Sequence, residues 1–163
     1  MEHVKEEKMQ RISKNISYKE GVYSITANRL GLENKPNEKQ LANMKTIAEK
    51  VFQPLREWVG GPVKINSFFR SPDLNKAIGG SKTSQHCKGQ AIDFDDNFGY
   101  KTNAEMFKYI RENLDYDQMI WEFGDDENPN WVHVSYVSPE ANRQRCLKAY
   151  RSPGSRSTKY KVI

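Results

Sequence analysis

Ser84-Gln85-His86-Cys87-Lys88-Gly89-Gln90-Ala91-Ile92-Asp93 joins two kinds of local structure in the middle of a 163-residue chain. It leaves a polar loop at His86 and enters a strand-like run, Ala91-Ile92-Asp93-Phe94. Gly89 lets the backbone turn tightly between them. Further on, Trp131-Val132-His133-Val134-Ser135 reads as another strand. His133 alternates there with two valines, so it faces away from the core that they would enter. Two imidazoles and a carboxylate are good zinc ligands, and three protein ligands leave a fourth position open for water, as in catalytic sites. Zinc there lowers the pKa of its water to about 7 and polarises a carbonyl. A lone histidine beside apolar residues is more often a hydrogen-bonded structural side chain. The chain has only three histidines, however, and two stand in these contexts. The H-x6-D spacing is weak alone and gains weight from the distant W-V-H-V-S strand.

Around this centre the chain alternates helix and strand signals. Asn37 and Gln40 form a capping box ahead of Leu41, Met44, Ile47, Ala48, Val51, Leu55 and Trp58, which recur at helical spacing. Pro54 lies inside that pattern, so a kink or break is expected there. Gly60-Gly61-Pro62 ends it. Val63–Phe68 alternates as a strand. Ser71-Pro72 opens a short helix that Gly79-Gly80 closes. Thr102 and Glu105 cap a helix through Met106, Ile110 and Leu114. Gln118–Phe123 and Trp131–Tyr136 are strand-like runs around a polar loop, 124–130. The expectation is a small single α+β domain with a mostly antiparallel sheet flanked by helices. Residues 1–18 read as a polar arm, 19–138 as the domain and 139–163 as a basic tail.

Composition supports one soluble domain. Apolar residues make up 36% of the chain, a low fraction, but eighteen aromatic residues suffice for a core. The net charge is +5, and residues 139–163 alone carry seven basic residues and one acid, so the rest sums to −1. Such a stretch could touch nucleic acid or anionic wall polymers, although charge runs most often only solvate. Cys87 and Cys146 are too few for a disulfide scaffold. The first fourteen residues lack the apolar stretch of a secretory signal, and no run approaches the ~18 apolar residues of a membrane span. The expectation is a monomer made in the cytoplasm and carried to any outside substrate by something else.

Ser84-x-His86-x-x-Gly89-x-Ala91-x-Asp93 resembles the S-x-H-x-x-G-x-A-x-D signature of the zinc D-alanyl-D-alanine carboxypeptidases and their L-alanyl-D-glutamate endopeptidase relatives. All five defined places match. Asn66-Ser67-Phe68-Phe69-Arg70-Ser71-Pro72-x-x-Asn75 is similar to the segment upstream of that signature, and Gly79-Gly80-Ser81 to the link between them. Thr26-Ala27-x-Arg29-x-Gly31 and Asn34-x-Pro36 resemble the beginning of phage and bacterial members. The likeness spans roughly residues 18–137. It implies a hedgehog-like metallopeptidase fold, one Zn2+ per chain on His86, Asp93 and His133, and Arg70 as the arginine that binds substrate and steadies charge at the carbonyl. It also implies a peptidoglycan peptide as substrate, and makes a phage lysis or virion enzyme a plausible setting.

The general base departs from the pattern. Many members carry an acid or histidine just before the last ligand, where this chain has Asn130. Glu122 is the expected substitute: a hairpin between the last two strands would bring it near His133. Asp125, Asp126 and Glu127 are rivals on the loop. Cys87, Trp121 and Trp131 take structural readings, and Ser84 a hydrogen-bonding role within its loop. A non-catalytic zinc-containing wall-binding module is the alternative to a peptidase. A nucleic-acid-binding protein ranks last, since no known motif accompanies the basic stretch. Loops 97–101 and 124–130 are expected to shape the cleft and so choose the bond.

Overall fold

A computed structural model describes residues 11–163; residues 1–10, part of the expected N-terminal arm, lie outside the described residues. The rest of that arm is folded. Strands β1 (Arg11–Ser13) and β2 (Ile16–Ser17) pair, and they bury Ile12 and Ile16. Two short helices follow, α1 (Tyr18–Val22) and α2 (Ile25–Leu30). Each begins at a serine that accepts from a backbone N–H three residues on, Ser17 and Ser24.

The capping box at Asn37 and Gln40 opens α3 (Glu38–Ile47), as its sequence predicts. Of the kink or break expected at Pro54, the break does not occur, and the irregularity takes another form. A π-helical turn, Ala48–Phe52, precedes the proline, and α4 (Gln53–Val59) runs on. The wider turn relieves the clash that a proline ring makes with the preceding turn of a helix. Met44, Ile47, Val51, Phe52 and Leu55 are buried along this composite helix. Strand β3 (Lys64–Ser67) leads to α5 (Pro72–Ala77), capped by Ser71. Strand β4 (Ala91–Asp95) precedes α6 (Asn103–Asn113), which begins with the Thr102–Glu105 capping box. Strands β5 (Gln118–Glu122) and β6 (Trp131–Ser135) form the expected hairpin.

Residues 139–163 are not a solvated tail. They supply β7 (Arg145–Tyr150), parallel to β5, and β8 (Lys159–Val162), antiparallel to β7. The six-stranded sheet has the order β3-β4-β6-β5-β7-β8, antiparallel except at β5–β7. Among the described residues no helix is long and apolar enough to cross a membrane.

Strand alternation separates the two faces of this sheet. Ile92, Phe94, Met119, Val132 and Val134 point to one face and pack with α3, α4 and α6 in the main core. Asp93, His133, Ile120 and Glu122 point to the other. Helices therefore cover one face, and the polar residues of interest gather on its reverse. Gly89 fixes the approach to β4. Its φ is +73°, and a Cβ there would stand 2.4 Å from the Gln40 carbonyl oxygen of α3. Both facts require glycine. Gly89→Ala is expected to destabilise the fold by about 2–4 kcal/mol in urea unfolding; a loss below about 0.5 kcal/mol would contradict that packing.

Candidate metal centre and catalytic cleft

His86 reaches the site from a single 3-10 turn, Gln85–Lys88, where the sequence suggests only a loop. Ser84 caps this turn by accepting from the His86 N–H. Asp93 and His133 arrive on neighbouring strands and are directly paired across β4 and β6. Side chains so paired on one face are close enough to meet.

The three side chains converge. His133 Nδ1 is 2.8 Å and His86 Nε2 3.2 Å from the same oxygen, Asp93 Oδ1. One ligand atom from each residue lies within 4.8 Å of the other two. His86 Nδ1 stands 2.7 Å from the Phe68 carbonyl oxygen. A carbonyl only accepts, so Nδ1 carries a proton, and in the neutral ring Nε2 turns a lone pair toward Asp93. A lone pair facing an anionic oxygen is a poor contact unless a cation sits between them, and the donor set fits a divalent metal such as zinc. The backbone carbonyl that fixes the ring is the outer support metal-binding histidines usually have.

Electrostatics favour the same state. Burial pushes the His86 imidazole down, against the pull of Asp93, and so keeps it neutral as a ligand must be. Burial alone would raise the Asp93 carboxyl, but positive charge at the His86 and His133 rings, the place a bound cation would take, outweighs it and holds Asp93 well below the usual carboxylate range. The lining of one cleft of about 750 Å³ includes His86, Asp93, His133, Glu122, Arg70 and Trp131.

Glu122 lies on the same face of the sheet as His133, two residues beyond Ile120, which pairs with His133. It is thus a diagonal neighbour of His133. Burial, with help from Asp93 and against His133, pushes its carboxyl up to about 7. The loop acids lie elsewhere. Asp125 accepts from the Glu127 and Asn128 N–H groups within its own turn, and Asp126 pairs with Lys148. Arg70 follows β3, where Nη1 donates to Asn75 Oδ1 at 3.2 Å and the buried Nε has no partner among the described residues. Asn75 is buried and also donates to the Ser81 carbonyl at 2.7 Å, so it ties Arg70 to the loop beside the cleft. Gly80 is crowded for the same reason: a Cβ there would stand 2.1 Å from Asn75 Oδ1.

The cleft walls differ from expectation. Loop 97–101 lies toward α4, where Tyr100 covers Gly61 and Lys101 sits over Trp58. Loop 124–130 is pinned to the start of α6, where Asn128 accepts from the Ala104 N–H and Asn103 donates to the Pro129 carbonyl. Neither loop lines the cleft; residues 78–81 and 83–85 do, with Arg143 and Tyr160 of the C-terminal segment. Trp121 packs edge-on against Phe107 on the helix side of the sheet, whereas Trp131 lines the cleft.

Residues 14–135 match the Peptidase M15 family. The chain belongs to the M15 peptidases. No curated protein matches it. The M15 segment ends with β6, so it holds His86, Asp93, His133, Arg70 and Glu122, whereas β7 and β8 lie beyond it. Sequence reading did not single out Asp117, Arg143 or Tyr160. Arg143 and Tyr160 line the cleft of this M15 peptidase from that later segment. The only advance signal was their place in a stretch whose charge suggested a tail.

The raised carboxyl of Glu122 makes a prediction for the metal-free protein. Folded, the group titrates near 7; its ordinary value is 4.5. Between these values the folded chain keeps a proton that the unfolded chain has released. Its contribution therefore destabilises the fold progressively as pH rises through that window. With chelator present, Glu122→Gln should gain about 2–3 kcal/mol relative to wild type between pH 4.5 and 8 in urea titrations. A pH-independent difference between the two proteins would contradict this.

Proposed function

We propose that this M15 peptidase is a zinc enzyme that hydrolyses a peptide bond in the stem peptides of bacterial peptidoglycan, as a carboxypeptidase or an endopeptidase. His86, Asp93 and His133 hold the metal, Glu122 is the general base and Arg70 binds the carbonyl or a nearby carboxylate. The observation that carries this reading is the placement of one carboxylate, Glu122, on the same sheet face and in the same cleft as the three ligands. Delivery to the wall after phage lysis or as part of a virion belongs to the same reading.

When bound, zinc supplies Lewis acidity, which polarises a carbonyl and acidifies water. Glu122 accepts a proton from the attacking water as its oxygen bonds to the peptide carbon. The same carboxyl then delivers that proton to the departing nitrogen as the C–N bond breaks. A carboxyl near 7 before metal binding would be drawn lower by the cation, and a base with a pKa near or below working pH suits this exchange. Arg70 adds a fixed positive charge beside the cleft. Its guanidinium donates to the carbonyl oxygen as negative charge grows there. His86 stays in one tautomer through its bond to Phe68, so the ligand set keeps its shape while the proton moves.

The test is hydrolysis of a defined stem peptide by the zinc-loaded protein, with product masses identifying the bond. Glu122→Gln is expected to retain zinc and lose about 10²–10⁴-fold in kcat. Arg70→Lys keeps the charge but not the planar fork, and should cost about 10²-fold in kcat/KM. Full zinc content with no hydrolysis by wild type would favour a wall-binding module on this fold.

A further inference from the structure

We infer that Arg143, supplied by the segment beyond the M15 match, is a specificity-determining residue that binds a carboxylate of the peptide substrate. The inference rests on the peptidase reading for its choice of ligand, and on an independent set of contacts for its geometry.

Arg143 stands two residues before the start of β7 and lines the metal cleft. The sheet order sets its position. Arg70 follows β3 on one side of the ligands on β4 and β6, and Arg143 enters from the β5–β7 side. Two guanidinium groups therefore flank the metal-binding residues across the sheet.

Asp117 holds this arginine in one orientation. Arg143 Nε donates to Asp117 Oδ1 at 3.0 Å and Nη2 donates to Oδ2 at 2.8 Å, a two-point fork. The Arg143 backbone N–H also donates to Oδ1, at 3.1 Å. The same buried carboxylate accepts from Gln85 Nε2 at 2.9 Å, one residue before His86. One anchor thus ties the arginine to the turn that presents a metal ligand.

The fork does not bury the whole guanidinium: the Arg143 side chain stays 51% exposed, whereas Asp117 is 3% exposed. Its remaining nitrogen, Nη1, makes no hydrogen bond among the described residues, although Nε and Nη2 are both used. A guanidinium held by two nitrogens, with the third open beside a cleft, suits an anionic acceptor. Fixing it beforehand reduces the ordering cost of binding.

Stem peptides carry such acceptors, as a terminal carboxylate or the free carboxyl of a glutamate. The cleft floor near Arg143 is polar through Gln118, while Ile120 offers a short apolar patch. The match to the family stops at residue 135, so this contact would adapt a shared catalytic face to this chain's own substrate.

The test is calorimetric binding to the zinc-loaded, full-length protein. Two probes are used: Ala-D-Glu-Lys-D-Ala-D-Ala with both carboxylates free, and the same peptide with both amidated. Short incubations and product analysis correct for any turnover. Arg143→Lys keeps a cation for Asp117 but loses the open arm of the fork, and Arg143→Gln removes the charge. Melting curves show which variants remain folded, and Arg143→Lys is expected to melt like wild type. For the folded variants, the preference for the acidic probe should shrink about tenfold or more, while affinity for the amidated probe stays within about threefold. On cleaved peptides the loss should appear in KM with kcat nearly unchanged. An undiminished acidic preference in Arg143→Lys would overturn the inference. Binding reports on Arg143 even if wild type cleaves neither probe, so failure of the peptidase reading and failure of this one are separable.

Discussion

Asp93 stands directly across β4 and β6 from His133, and that register is the constraint on which the site depends. Strand side chains alternate with a period of two, so a slip of one residue would turn His133 into the helix-packed core and bring a valine to the cleft. The register is held from the other side. Ile92, Phe94, Val132 and Val134 are all buried against the helical layer, and they cannot exchange places with polar neighbours without losing that burial. The hydrophobic core thus fixes the metal face through the sheet. The third proposed ligand does not share this security. His86 comes from a single turn, located by the Phe68 carbonyl, the Ser84 cap and the glycine that lets the chain pass under α3.

The charges on the cleft face work against folding and in favour of binding. Glu122 is raised by burial, and the lone pair of His86 faces a carboxylate oxygen. Sites arranged for chemistry commonly hold groups in states that isolated folding would not choose. A divalent cation removes both tensions, since it needs neutral imidazoles and ionised carboxylates. Arg70 fits the same pattern. It is desolvated, with its Nε unpartnered among the described residues, and is held in place by Asn75.

Much of this was legible from residues alone, for local reasons. Capping boxes at Asn37 and Thr102 act within four residues, and both helices begin where those boxes predict. The β5–β6 hairpin joins neighbouring runs, so the diagonal approach of Glu122 to His133 could be foreseen. What was hidden depends on distant partners. In β7 the buried Cys146, Leu147 and Ala149 are interleaved with Arg145 and Lys148, and the strand pairs in parallel with β5 with no turn to announce it. Charge counting read those cations as a solvated end. Pro54 announced an irregularity in its helix but not its π-helical form, because an insertion of that kind changes spacing by one residue within an otherwise helical pattern. The same non-local pairing brings Arg143 and Tyr160 to the cleft, which places part of this chain's individuality in the segment that looked least structured.

The claim at the centre of the account is that His86, Asp93 and His133 form one zinc site on which peptide hydrolysis depends. Metal content of the purified protein, wild type against His133→Ala, measured beside cleavage of a stem peptide, tests it most directly. The account predicts one zinc per wild-type chain, with metal and cleavage lost together in a variant that remains folded. A folded wild-type protein that takes up no zinc when the metal is supplied without chelator, or a His133→Ala variant that still cleaves, would contradict it.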